Sequence, residues 1–179
     1  MDNKSLQAMD ITTLKAVVGD INKEILPSLF EKTQQPEPGT IQLCLRTLNK
    51  IIWLEMSWDA DAPRLIEIKT PSRKGSESTL AKQIHYSLNQ MALIEIKQKG
   101  FERIVEFGFA KRPNDAIQRV LVLELMGRHS NILLLDAQKK IITLGRQIRP
   151  HQSRIRPLST GDFYIAPPAL EGVKPSSTE

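Results

Sequence analysis

Leu121-Val-Leu-Glu-Leu-Met-Gly-Arg-His-Ser-Asn-Ile-Leu-Leu-Leu-Asp136 joins two apolar, strand-length runs through a compact polar insert, Gly127-Arg128-His129-Ser130-Asn131. Polar groups wedged between buried strands need partners. Arg128 offers a planar fork of five donors, and Asn131 both donates and accepts. The insert therefore either grips a phosphate or carboxylate, or staples the strand junction from inside. Short polar joints between strands commonly serve as staples, and both readings stand on the residues alone.

Working outward, the runs at 92–98, 101–110, 119–126 and 130–136 read as strands, with a fifth at 141–147 after the Ala137-Gln-Lys-Lys140 turn. Upstream, Ile11, Leu14, Val18, Ile21 and Ile25 recur at spacings of three and four, one stripe of a helix that Asp10 is placed to cap. Pro27 closes that helix, and Gln34-Gln-Pro-Glu-Pro-Gly39 reads as a loop. Residues 40–47 alternate Ile41, Leu43 and Leu45 against Gln42, Cys44 and Arg46. With 51–58 and 64–69 they make a three-stranded meander. A second helix, 79–90, carries Leu80, Ile84 and Leu88 after a serine-rich connection. Two blocks of strands separated by a helix predict an α+β fold with two packed, mostly antiparallel sheets and flanking helices. A single domain is expected over 1–168, and the composition of 169–179 is that of a linker.

The chain's 179 residues, 40% of them hydrophobic and 25% charged, are those of an ordinary globular domain. Its formal net charge is +5, and residues 137–161 hold six basic side chains and no acidic one: Lys139, Lys140, Arg146, Arg149, Arg154 and Arg156. Such a run is either a solvated surface or a phosphate-contacting strip. The arginine forks suit the second. Cys44 is the only cysteine, which excludes an intrachain disulfide and a multi-cysteine zinc site. His85, His129 and His151 show no ligand spacing, and no glycine-rich phosphate loop or nucleophile motif occurs, so neither metal, cofactor nor catalysis is expected. No apolar run approaches the ~18 residues of a membrane span, and the first residues lack a signal core. Cytoplasmic residence is the expectation.

Met126-Gly-Arg-His-Ser-Asn-Ile-Leu133 resembles the signature of the NFACT N-terminal domain, found in proteins once called fibronectin-binding protein A and now associated with ribosome quality control. The likeness extends to Asp10 before the first helix, to Gly100-Phe-Glu-Arg103, and to the closing Tyr164-Ile-Ala-Pro-Pro168. It implies a β-sandwich like the N-terminal domain of formamidopyrimidine-DNA glycosylases. It also implies a non-catalytic module that binds transfer RNA (alanyl-tRNA) and the stalled large ribosomal subunit in support of C-terminal alanine tailing. By the same resemblance, Asp10, Glu102 and Arg103 contact tRNA, with Glu102 standing where the family usually has Asp.

Complete family members carry further helical, coiled-coil and RNA-binding segments as partners of this domain. The family's Ser-Ala-His-Pro and Pro-Pro-Met-Phe segments are replaced here by Ile68-Lys-Thr-Pro-Ser-Arg73 and Glu77-Ser-Thr-Leu80. That pattern is similar to a divergent, cyanobacterial-like branch. The alternatives are a fibronectin-binding adhesin, which the lack of a signal core disfavours, and a DNA glycosylase, which would need a catalytic proline where this chain begins Met1-Asp2-Asn3.

Overall fold

The computed structural model describes residues 10–73, 78–99, 102–151 and 156–167. Helix α1 (Ile11–Ile25) starts where Asp10 accepts the Thr13 amide at 2.7 Å, and it buries Leu14, Val18, Ile21 and Ile25, the stripe its spacing foretold. Helix α2 (Thr79–Leu88) is capped by Ser78 and buries Ala81, Ile84 and Leu88. The strands are β1 (Ser28–Glu37), β2 (Thr40–Arg46), β3 (Ile51–Ser57), β4 (Arg64–Ile68), β5 (Ala92–Gln98), β6 (Ile104–Ala110), β7 (Arg119–Glu124), β8 (Asn131–Leu135) and β9 (Ile141–Leu144). The fold is α+β and antiparallel, as expected.

Two expectations change. The segment 34–39, read as a loop on its prolines and glutamines, lies mostly in β1, whose register with β2 shifts between Phe30 and Lys32 and again between Gln34 and Glu37. The second irregularity brackets Pro36, a position where a residue without an amide proton breaks no ladder. That extra strand then joins the two blocks. β1 pairs with β2 along its length and with β5 through Ser28 and Leu29, so the ladder is one nine-stranded sheet, β4-β3-β2-β1-β5-β6-β7-β8-β9, and not two separate ones.

Both halves of the ladder nonetheless share one core. Leu43 and Leu54 from one block, Phe107, Leu121 and Ile132 from the other, and the apolar faces of both helices form a single buried cluster. The far ends of the ladder also meet. The Trp58 ring, just past β3, lies so close to Gly145, just past β9, that a Cβ there would sit 2.6 Å from it. A smaller cluster covers the opposite face of β6 to β9, where Val122, Leu133 and Ile141 pack under Leu158 and Tyr164. Strands β7 and β8 are thus buried on both faces, which is why they read as continuous apolar runs. The segment carrying Leu158 and Tyr164 is a strap bridged to the residues on either side of β9, Lys140 to Phe163 and Ile148 to Leu158. Residues 168–179, and with them the linker reading, lie outside the described residues.

Candidate nucleic-acid interface

Antiparallel register gathers the predicted residues at one end of the sheet. β6 begins at Ile104, opposite Glu124 at the end of β7, which is opposite Asn131 at the start of β8. Arg103 therefore lies at the same end as the Gly127–Asn131 turn, and its carbonyl accepts the Leu125 amide at 2.8 Å. Glu102 and Arg103 precede the strand, where the sequence pattern placed them inside it, so strict alternation of faces does not constrain them. Glu102 is exposed and Arg103 half-buried, and the turn that holds them is tied down by Gln98 Nε2, which donates to the Glu102 carbonyl at 2.6 Å. Gly100 and Phe101 of the same word lie outside the described residues.

Asp10 stands at the head of α1. Its carboxyl is held below the usual carboxylate range chiefly by hydrogen bonds from Thr13 and, to a lesser degree, by the nearby positive charge of Arg103. The N-cap reading is observed, and it coexists with proximity to Arg103.

The Gly127–Asn131 turn divides by direction. Gly127 takes φ +55, a left-handed conformation that costs glycine little, and opens a 3-10 turn over Gly127–His129. Ser130 is buried and its hydroxyl accepts the Met126 amide at 2.8 Å. Asn131 has no exposure. Its amide donates to the Arg146 carbonyl at 2.8 Å, and its oxygen accepts from the Ile132 and Arg146 amides, both at 2.9 Å. These two residues are the staple. Arg128 and His129, by contrast, are exposed, and Arg128 makes no hydrogen bond or ion pair among the described residues. The turn is therefore clamped from within while presenting a guanidinium and an imidazole to solvent.

The basic run does not form one strip. Arg146 is exposed at the interface end, bound through its backbone to Asn131, and Arg149 is exposed three residues on. Lys139 and Lys140 occupy the β8–β9 turn at the opposite end, with Lys140 Nζ 5.2 Å from the centre of the Phe163 ring. Arg154 lies outside the described residues.

Arg156 is a correction. Expected to contact phosphate, it is buried and spent on Glu124, with Nη1 at 2.9 Å from Oε1 and Nη2 bonded to Oε2, while its Nε donates to the Ile165 carbonyl at 2.6 Å. The Tyr164 hydroxyl donates to the same carboxylate at 2.6 Å. Burial first, then the charge of Glu124, raises the Tyr164 pKa far above its ordinary value. A fully buried acid demands such partners. The signal was present as Glu124, a lone acid between Leu123 and Leu125 in an otherwise apolar run, and it went unread, as did Tyr164 as its partner.

No helix among the described residues is long and apolar enough to cross a membrane, and no group of three potential metal ligands occurs among them. The model for the NFACT N-terminal and middle domains matches residues 10–179. The chain is 30% identical over 166 residues to the Rqc2 homolog RqcH of Streptococcus pneumoniae serotype 2, covering 90% of this chain and 30% of that protein. It is 28% identical over 160 residues to the Rqc2 homolog RqcH of Bacillus subtilis, covering 87% and 28%. It thus spans under a third of the length of these curated relatives.

Among solved structures, the N-terminal domain of the fibronectin-binding protein PavA from S. pneumoniae superimposes with a TM-score of 0.82 at 29% identity, over 89% of this chain and 62% of that one. The N-terminal part of the fibronectin/fibrinogen-binding protein of Streptococcus suis gives 0.83 at 26% identity, over 90% and 62%. With the stapled Gly127–Asn131 turn in place and the match running through the whole described sheet, the chain belongs to the family of NFACT N-terminal and middle domains.

Proposed function

We propose that this domain is a transfer-RNA-docking module of a ribosome quality-control factor, acting by position and not by catalysis. The observation that carries the reading is the divided turn: Ser130 and Asn131 lock it from inside, and Arg128 and His129 face outward at the sheet end shared by Arg103, Glu102 and Asp10. The guanidinium of Arg128 serves phosphate. Asp10 and Glu102, which would repel phosphate, serve as acceptors for ribose hydroxyls or base edges. The relatives named Rqc2 homolog RqcH support the setting. Within it, the family resemblance assigns alanyl-tRNA, the stalled large subunit and C-terminal alanine tailing, with peptide-bond chemistry left to the ribosome.

Binding of tRNA and of duplex DNA, measured across a salt series for the wild type and for Arg128→Ala, Arg103→Ala, Glu102→Ala and Arg149→Ala, tests the reading. The arginine changes weaken tRNA binding, and each flattens the slope of log K against log salt by roughly 0.7–0.9 for every phosphate left without its cation. Glu102→Ala weakens binding with the slope unchanged. Equal tRNA affinity in all variants would falsify the site. A second reading, fibronectin binding, has the names of the solved neighbours in its favour. Saturable capture on immobilised fibronectin, abolished in Arg128→Ala and unmatched by tRNA, would select it.

A further inference from the structure

An open groove of about 440 Å³ runs between α1 and β5. Its helix wall carries Lys15, Gly19 and Asn22 and its strand wall Lys97, Gln98 and Lys99, and no carboxylate is among its lining residues. Asn22 Nδ2 reaches the Ile96 carbonyl at 3.4 Å and ties the two walls together.

Charge is the first feature that sets this groove apart from an ordinary solvated seam. Lys97 and Lys99 are 56% and 65% exposed in their side chains, and their carboxylate partners, Glu95 at 3.4 Å and Glu106 at 3.9 Å, form loose surface pairs that a phosphate displaces at little cost. Gly19 is the second feature. It lies inside the 15-residue α1, where only proline is less favoured than glycine, yet a Cβ built on it meets nothing within 4 Å. No internal contact excludes a side chain there, so the groove can be filled from the helix wall without disturbing the core. Gln98, at the end of the groove, donates to the carbonyls of both Lys99 and Glu102, so the groove ends beside the Glu102–Arg103 pair.

We infer that this groove holds a single strand of RNA backbone leaving the sheet-end interface, an extension that rests on the RNA reading above. Its dimensions suit the occupant. Seven helical steps from Lys15 to Asn22 at 1.5 Å each, and three strand steps from Ile96 to Lys99 at about 3.3 Å, both give a length of ~10 Å. Lysine ammonium groups are mobile point charges, suited to sequence-independent phosphate contact.

The test is fluorescence anisotropy of labelled tRNA with this chain across a salt series. The variants are the triple Lys15→Gln/Lys97→Gln/Lys99→Gln, the filled groove Gly19→Gln, and Arg128→Ala for the parent site, with thermal melting of each. The triple variant is expected to bind at least tenfold more weakly at low salt, with a salt slope lower by about 2, at ~0.7 for each neutralised phosphate. Gly19→Gln, which favours the helix, is expected to melt no lower than wild type and to bind roughly three- to tenfold more weakly with the slope unchanged. If both groove variants bind as wild type while Arg128→Ala is impaired, the groove assignment falls and the RNA reading stands. If wild type and all variants share the same weak affinity, both fall. Loss of binding to a labelled polyglutamate peptide with tRNA binding intact would make the occupant an acidic peptide and overturn the proposal.

Discussion

Arg156→Met cuts the polar knot beneath the strap. The methionine keeps the bulk of the side-chain stem but removes both guanidinium bonds to Glu124 and the bond to the Ile165 carbonyl. Glu124 has no solvent exposure, so among the described residues its carboxylate is left with Tyr164 as its remaining side-chain partner. Removing one member of a buried ion pair costs about 3–5 kcal/mol, most of it the desolvation of the group left behind. For a domain of this size ~1 kcal/mol moves Tm by roughly 2–4 °C, so the variant is expected to melt about 6–20 °C below wild type. The double variant Glu124→Leu/Arg156→Met removes both charges and is expected to recover most of that loss. Scanning calorimetry and urea unfolding of the set measure the effect. A single variant within ~0.5 kcal/mol of wild type would show that water already reaches the pair, and the account of a dry, strap-covered knot would be wrong. Per folded molecule, tRNA affinity of Arg156→Met is expected to equal that of wild type, which separates this arginine from Arg128.

Asn131→Ala strips three hydrogen bonds from the strand junction and orphans the Arg146 carbonyl, a loss of about 2–4 kcal/mol by urea unfolding, with faster amide exchange at Arg146 than elsewhere in the sheet. Gly145→Ala drives a methyl into the Trp58 ring and is expected to destabilise by about 1–3 kcal/mol with a change in tryptophan emission; unchanged emission would mean the ring moves aside freely. Asp10 sits below its unfolded pKa of about 3.9, so its contribution is complete above that value and is lost as pH falls through the lower, folded value. Asp10→Asn, which still caps the helix, should therefore flatten the urea midpoint between pH 5 and 2 relative to wild type, and an identical pH profile would remove the Thr13 contact from the explanation.

Both helices, with their caps, were legible because period and cap chemistry are local, and eight of the nine strands could be placed from alternation or continuous apolar runs. β1 was not legible. Its proline and glutamines carry no strand signal, and it is a strand because β2 lies along one edge and β5 meets its start. The joining of two blocks into one ladder follows from that strand and was missed with it. In the candidate site, the Gly127–Asn131 turn stood out as a polar word between apolar runs, yet which side chains turn inward depends on the register of β7 with β8 and on the backbone of Arg146. Arg156 was misread because a basic run looks solvated until its buried acid is located, and Glu124 lies 32 positions away.

The clamp on the Gly127–His129 turn has a thermodynamic corollary. Ordering a residue's backbone costs roughly 1–2 kcal/mol, so a floppy loop bearing the same arginine and histidine would forfeit about 3–6 kcal/mol of affinity over three residues each time a ligand bound. Ser130 and Asn131 settle that entropy during folding. If the proposed docking occurs, what is left for Arg128 and His129 to surrender is rotamer freedom alone.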